Sequence, residues 1–313
     1  MYRYVLSLSL LLLLGSGAGS AQANLAERLG YPAGSRLLIV HADDLGVTHA
    51  TNAASLAALE AGTVTSASVM APTPWLAEVA EWARRHPDHD LGMHLTLTSE
   101  WRNLRWGPVA GDVGSLTDSS GYLKPLCDVM GAGATAADVR TELLAQIARA
   151  RSLGLEPTHL DSHMGCLIYD PEWFAVYMDV SRQTGIPAMV ARPELSGPLA
   201  ATHGPHVRPT DLVVDAVYTA GVPDYERGLE AYYTDVLNGI APGVSVLLIH
   251  TALDGAESAA MAGGVTGWGN RWRQVDYNFF TGDHFRRLVQ DRGITLTTWR
   301  EVHRRWRALL DDE

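Results

Sequence analysis

Apolar runs rich in β-branched residues recur along this 313-residue chain with helix-period segments between them, and this alternation restricts the fold more than any other feature. Runs of that kind are buried on both faces, which a parallel sheet wound with helices provides. The expected strands are 36–41, 64–70, 91–97, 158–161, 187–190, 244–250 and 294–297, with a less regular one at 212–214. Between the first two, Thr48 caps a helix that runs through an alanine-rich stretch to Glu60 and stops at Gly62. Val139, Leu143 and Ile147 recur every fourth residue and give a second helix one buried face, ended by Gly154. Pro171 suits the first turn of a third, ended by Gly185. Seven strands and an irregular eighth approach an α/β fold of the (β/α) barrel type, irregular or incompletely closed, with an open doubly wound sheet as the alternative.

No Pro/Ser/Gly linker or repeat divides residues 24–313, which read as a single domain, since barrels run to about 250 residues as one unit. Residues 1–23 have the order of an export signal: Arg3, an apolar run from Val5 to Leu14, then small residues ending in Ala21-Gln22-Ala23. Cleavage near Ala23 and a periplasmic or secreted product are expected. The apolar core is shorter than the ~20 residues of a spanning helix, so no stable membrane insertion is expected. The balance of 24 basic and 35 acidic residues, a net charge of -11, argues against a nucleic-acid partner. Two cysteines, Cys127 and Cys166, make no disulfide framework, and the sequence leaves their pairing open.

The chemistry sits at strand ends. The apolar run Leu37-Leu38-Ile39-Val40 leads into His41-Ala42-Asp43-Asp44-Leu45-Gly46. Adjacent carboxylates repel and are costly to desolvate, so a divalent cation is a natural compensation, although such a pair also serves as a helix cap with a solvated neighbour. In Leu91-Gly92-Met93-His94-Leu95-Thr96-Leu97, alternation sets His94 with Gly92 and Thr96 on the face opposite the leucines and Met93. In Thr158-His159-Leu160-Asp161-Ser162-His163, Pro157 and the β-like run argue against a helix that would align both histidines, which leaves His163 as the better candidate. Carboxyl ends of parallel strands face one side, so one Asp and two His can meet there as three ligands with open positions, the pattern of a catalytic metal. Zn²⁺ suits the imidazoles, and mixed N/O ligation admits Mg²⁺, Mn²⁺ or Co²⁺. His250, ending another strand, can give a proton to a leaving group, and Arg192 can pair with Asp43 and hold it ionised. The long stretch from Thr98 to about Ala134 follows the His94 strand, fits neither period and is expected to cover the site.

Four segments together, Ala42-Asp43-Asp44-Leu45-Gly46, Gly62 through Met70, Gly92 through Thr98 and Thr158 through His163, resemble the YdjC-like or chitooligosaccharide deacetylases, distantly similar to the polysaccharide deacetylases. The resemblance covers nearly the whole mature chain. It implies a barrel-like (β/α) fold, a divalent metal on Asp44, His94 and His163, a general base at Asp43, and removal of N-acetyl groups from an amino sugar or oligosaccharide. His250 takes the place of the family's late histidine, followed here by Thr251-Ala252 where Pro-Gly is common; His41 stands at a usual Asn and Met164 at a frequent His. With an export signal on the chain, an extracellular or periplasmic glycan is expected as substrate. Other readings are a hydrolase of a different amide or ester, and an exported glycan binder with Trp101, Trp106, Tyr122, Tyr169 and Trp173 as its platform. Binding a sugar does not require two adjacent carboxylates, which weighs against the binder.

Overall fold

The computed structural model describes residues 23–131 and 133–312, so the expected export segment, apart from Ala23, lies outside the described residues. Seven parallel strands form one sheet: β1 (Arg36–Leu45), β2 (Ser66–Val69), β3 (Leu91–Leu95), β4 (Leu160–Ser162), β5 (Ala216–Thr219), β6 (Gly243–Ile249) and β7 (Ile294–Leu296). Their order is β4-β3-β2-β1-β6-β5, with β7 on β1. The long β1 lies at the centre because its residues from Leu37 to Leu45 are all buried. β6 takes one edge of β1 along Arg36–Ala42, while β7 and β2 share the other, β7 at Arg36–Leu38 and β2 from His41 onward.

The sheet curls into an incompletely closed barrel. Among the described residues its two edges are linked through residues 187–192, where Leu160 bridges Ala188 and Ala191 bridges Val214. The strand expected at 187–190 is thus reduced to single bridges, because Pro187 and Pro193 bracket it and neither can donate a ladder hydrogen bond. The irregular strand expected at 212–214 begins later, at Ala216, with Val214 as its bridge.

Alternation along β1 sorts the side chains. Leu38, Val40 and Ala42 join the core beneath the helices, whereas Leu37 and Ile39 pack with Val244, Val246 and Trp299 inside the barrel. Each of the leucine, isoleucine and valine side chains among them stabilises the fold by about 1.5–3 kcal/mol relative to exposure. The expected helices form where the caps place them. Thr48 accepts from Thr51 N–H ahead of His49–Glu60, and Thr135 from Asp138 N–H ahead of Ala136–Ser152. Pro171–Thr184 is capped by Asp170 and ends at Gly185, whose φ of 71° suits glycine.

The helix Ala136–Ser152 also fixes the covering loop. Its buried Gln146 bonds both backbone groups of Thr96 just beyond β3, and its Glu142 accepts from the N–H groups of Val109 and Ala110. At its far end the loop is tied by a disulfide, Cys127–Cys166, with Cα atoms 5.2 Å apart. The pairing that the sequence left open therefore joins the loop to the turn that carries His163.

Candidate metal centre

In a regular strand Asp43 and Asp44 would point to opposite faces. Here β1 carries a register shift between Ala42 and Leu45, and Asp44 adopts a left-handed φ of 71°, so both carboxylates reach the same buried cluster. A left-handed non-glycine residue costs about 1–3 kcal/mol and persists only where its surroundings impose it. That bulge carries β1 past the expected end at His41.

Asp44 Oδ1 lies 3.3 Å from His94 Nε2 and 3.4 Å from His163 Nδ1, and those two nitrogens are 3.1 Å apart. The opposite nitrogen of each ring is already committed. His94 Nδ1 is 2.7 Å from Asp161 Oδ1, and His163 Nε2 is 3.0 Å from Glu100 Oε2. With each ring donating to its outer carboxylate, two imidazole lone pairs and a carboxylate oxygen face one another, and Asp44 Oδ1 has no hydrogen-bond partner. A tetrahedral ion bound at about 2.0–2.1 Å separates its ligands by about 3.3 Å, which matches this triangle. Asp44, His94 and His163 could therefore hold a metal ion.

The charge balance agrees. Burial opposes charge on His163, yet Glu100 and Asp44 push it up to about 9. His94, likewise against burial, is raised well above its usual value by Asp161, Asp43 and Asp44. The field that draws protons onto these rings would equally hold a divalent cation in their place. Asp44 stays ionised: burial works against it, but Arg273, 2.7 Å from its Oδ2, and then His163 and His94 hold it well below the usual carboxylate range.

Asp43 lies beside this triangle. Its Oδ1 is 3.0 Å from His41 Nε2 and accepts from Ser68 Oγ at 3.4 Å, and its Oδ2 is 3.7 Å from His250 Nε2. His41 also contacts Asp161 Oδ2 at 2.7 Å and Ser66 Oγ at 2.9 Å. Burial would strip its proton, but Asp161 and Asp43 push His41 up to about 9, so an imidazolium lies between two carboxylates. His250 behaves oppositely: burial lowers it to about 4, against Asp44 and Asp43, and leaves the ring neutral. The backbone N–H of His250 donates to Asp276, which burial pushes up to about 7.

Arg192 does not reach Asp43. The bridge from Ala191 to Val214 carries it to the start of β5, where its Nη2 pairs with Asp215 at 3.1 Å and its side chain is 40% exposed. The arginine at the centre is Arg273, on the helix Asn270–Thr281, and it pairs with Asp44 instead. Asp161, Glu100 and His41 complete the cluster. Only His41 and Asp161 carried a local signal, each sharing a strand face with a chosen residue two positions on. The aromatic platform does not form: Trp106 and Trp173 are core residues, Tyr122 and Tyr169 are exposed, and only Trp101 of the five lines the cavity. That cavity, of about 640 Å³, opens over the triangle, with Trp101 and Leu126 from the covering loop on its wall.

The family model described as YdjC-like protein matches residues 37–291. A carbohydrate deacetylase of Thermus thermophilus is 33% identical over 291 residues, covering 89% of this chain and 98% of that protein. A chitooligosaccharide deacetylase of Yersinia pestis is 31% identical over 163 residues, 51% of this chain and 61% of its own. Among solved structures, a putative cellobiose-phosphate cleavage protein from Enterococcus faecalis superposes with a TM-score of 0.69 at 22% identity, over 85% of this chain and 98% of that one, a likeness of fold.

Proposed function

This chain belongs to the YdjC-like protein family and is a carbohydrate deacetylase, and on that premise we propose how its residues divide the work on an N-acetylated amino sugar or short glycan. Asp44, His94 and His163 hold one divalent ion, Mg²⁺ or Zn²⁺, with Mn²⁺ and Co²⁺ also suited to the donors. The observation that carries this is the unpartnered Asp44 Oδ1 facing two committed imidazoles. Such an ion acidifies water and polarises a carbonyl oxygen.

Asp43, oriented by His41 and Ser68, takes a proton from the water that attacks the acetamide carbon. His250 begins neutral, 3.7 Å from Asp43, and is placed to receive that proton and deliver it to the nitrogen as the C–N bond breaks. Acetate and a free amine result. Arg273 fixes Asp44 and thereby the ligand geometry. Export near Ala23 is part of the same proposal, supported by a disulfide that suits an oxidising compartment.

The test is acetate release from N-acetylated sugars before and after chelation, with bound metal measured alongside. About one divalent ion per chain, activity abolished by chelation and restored by metal, and reduced occupancy in both His94→Ala and His163→Ala are expected. Unchanged metal content in both variants would remove the ligand assignment.

A further inference from the structure

Much of the wall of the cavity over the triangle is apolar. A pyranose presents hydroxyls around its ring edge, and buried hydroxyls demand partners. Outside the ionisable cluster, the half-buried Ile168, Met189, Val217 and Leu248 line the cavity along with Trp101, Leu126, Thr219 and Trp268, and the exposed Met164 and Val265 form its mouth. Among the polar side chains of the wall, Ser162 accepts from Leu167 N–H, Glu194 Oε2 accepts from Ala191 N–H, Glu100 holds His163, and Thr219 adds a hydroxyl. Met189, Val217 and Leu248 pack against the interior core yet are only half-buried, because the cavity reaches them.

The mouth is apolar and exposed. Met164 and Val265 are 46% and 56% exposed, and Leu126, 43% exposed, lines the same cavity, so the exposed apolar residues are grouped there. Backbone strain marks the same place. Among the described residues, the non-glycine residues with left-handed φ are Asp44, Met164 and Trp268, and all three line this cavity. Asp44 is explained by the ligand triangle, whereas Met164, exposed at the mouth, and Trp268, stacked on Trp272, hold that conformation on the cavity lining.

Resting on the deacetylase reading above, we propose that the natural substrate is an amphiphile, an N-acetylated amino sugar whose anomeric oxygen carries a hydrocarbon aglycone. The acetamide meets the ligand triangle and Asp43, and the hydrocarbon lies along Ile168, Met189, Val217 and Leu248 with its outer part at Met164 and Val265. A buried methylene favours binding by about fourfold, so chain length is a direct probe of this wall.

The experiment compares the metal-loaded enzyme on methyl and octyl β-glycosides of N-acetylglucosamine and on N,N′-diacetylchitobiose, each glycoside below its critical micelle concentration, by acetate release. The octyl glycoside is expected to exceed the methyl glycoside by about tenfold or more in kcat/KM, and to exceed the disaccharide. Val217→Thr, nearly isosteric on β5, and Met164→Gln, on the exposed rim, are each expected to lower the octyl-to-methyl ratio by about threefold or more. Equal kcat/KM for the two glycosides, a preference for the disaccharide, or a ratio unmoved by both substitutions would overturn the amphiphile while leaving the deacetylase intact. No acetate from any of the three compounds would overturn both.

Discussion

The two halves of the barrel interior are built from the same parallel strands and hold opposite chemistry. β1 to β4 turn His41, Asp43, Ser66, Ser68, His94 and Asp161 toward one another in a bonded network. Residues 188–191, β5 and β6 instead supply Met189, Val217, Val244, Val246 and Leu248. A buried polar wall is stable only when its donors meet acceptors, so the first half is closed and specific. An apolar wall needs no partner and tolerates a void, and the cavity opens against the second half.

The contrast breaks most severely at Asp161, which holds His94 through one oxygen and His41 through the other. Asp161→Ala strands two buried rings, and a loss of about 3–5 kcal/mol in denaturant unfolding is expected, with metal affinity falling about 10–100-fold in titration. A loss under about 1 kcal/mol with unchanged affinity would show that the network is not closed as described.

Next in size is Gly92→Ala. A Cβ there would stand 2.3 Å from His159 Nε2, and the ring, stacked on Trp299, has little room to retreat. Overpacking of this kind costs about 1–3 kcal/mol, read as a lower melting temperature.

His159 also makes the polar half sensitive to pH. Burial, and then the charge of His41, hold it well below its ordinary value of 6.5, so it stays neutral in the fold while the unfolded ring titrates normally. Its stabilising contribution is present above 6.5 and is lost as pH falls below it, by about 1.4 kcal/mol per unit. Unfolding measured at descending pH should show a shallower decline in His159→Phe than in the native chain. Equal slopes would assign the sensitivity to other groups.

The smallest effect belongs to the apolar half. Leu248→Met conserves volume and breaks no bond, so a loss below about 1.5 kcal/mol and an unaltered pH slope are expected. A larger loss would mean that this wall is as specific as the other.

Legibility in the sequence followed the same division between local and distant causes. The apolar run of β1, the Thr48 cap, the stop at Gly185 and the facing of His94 are set by neighbours in the chain, and the sequence shows them directly. Asp44's left-handed turn was hidden, since nothing near it predicts a bulge. Arg273, Glu100 and the double role of Asp161 depend on residues 229, 63 and 67 to 120 positions away. Arg192 was assigned to the centre by its place after a strand. The bridge between Ala191 and Val214 sends it to Asp215 instead. The disulfide was equally a matter of tertiary approach, across 39 positions.

The proposed function gives the two adjacent carboxylates different tasks, Asp44 as ligand and Asp43 as base. Bound metal and acetate release, measured together on Asp43→Asn and Asp44→Asn, test it most directly. Asp43→Asn is expected to keep about one ion per chain while turnover falls by a factor of about 100 or more, and Asp44→Asn to lose the ion itself. Metal retained in Asp44→Asn and lost in Asp43→Asn would contradict the account and exchange the two roles.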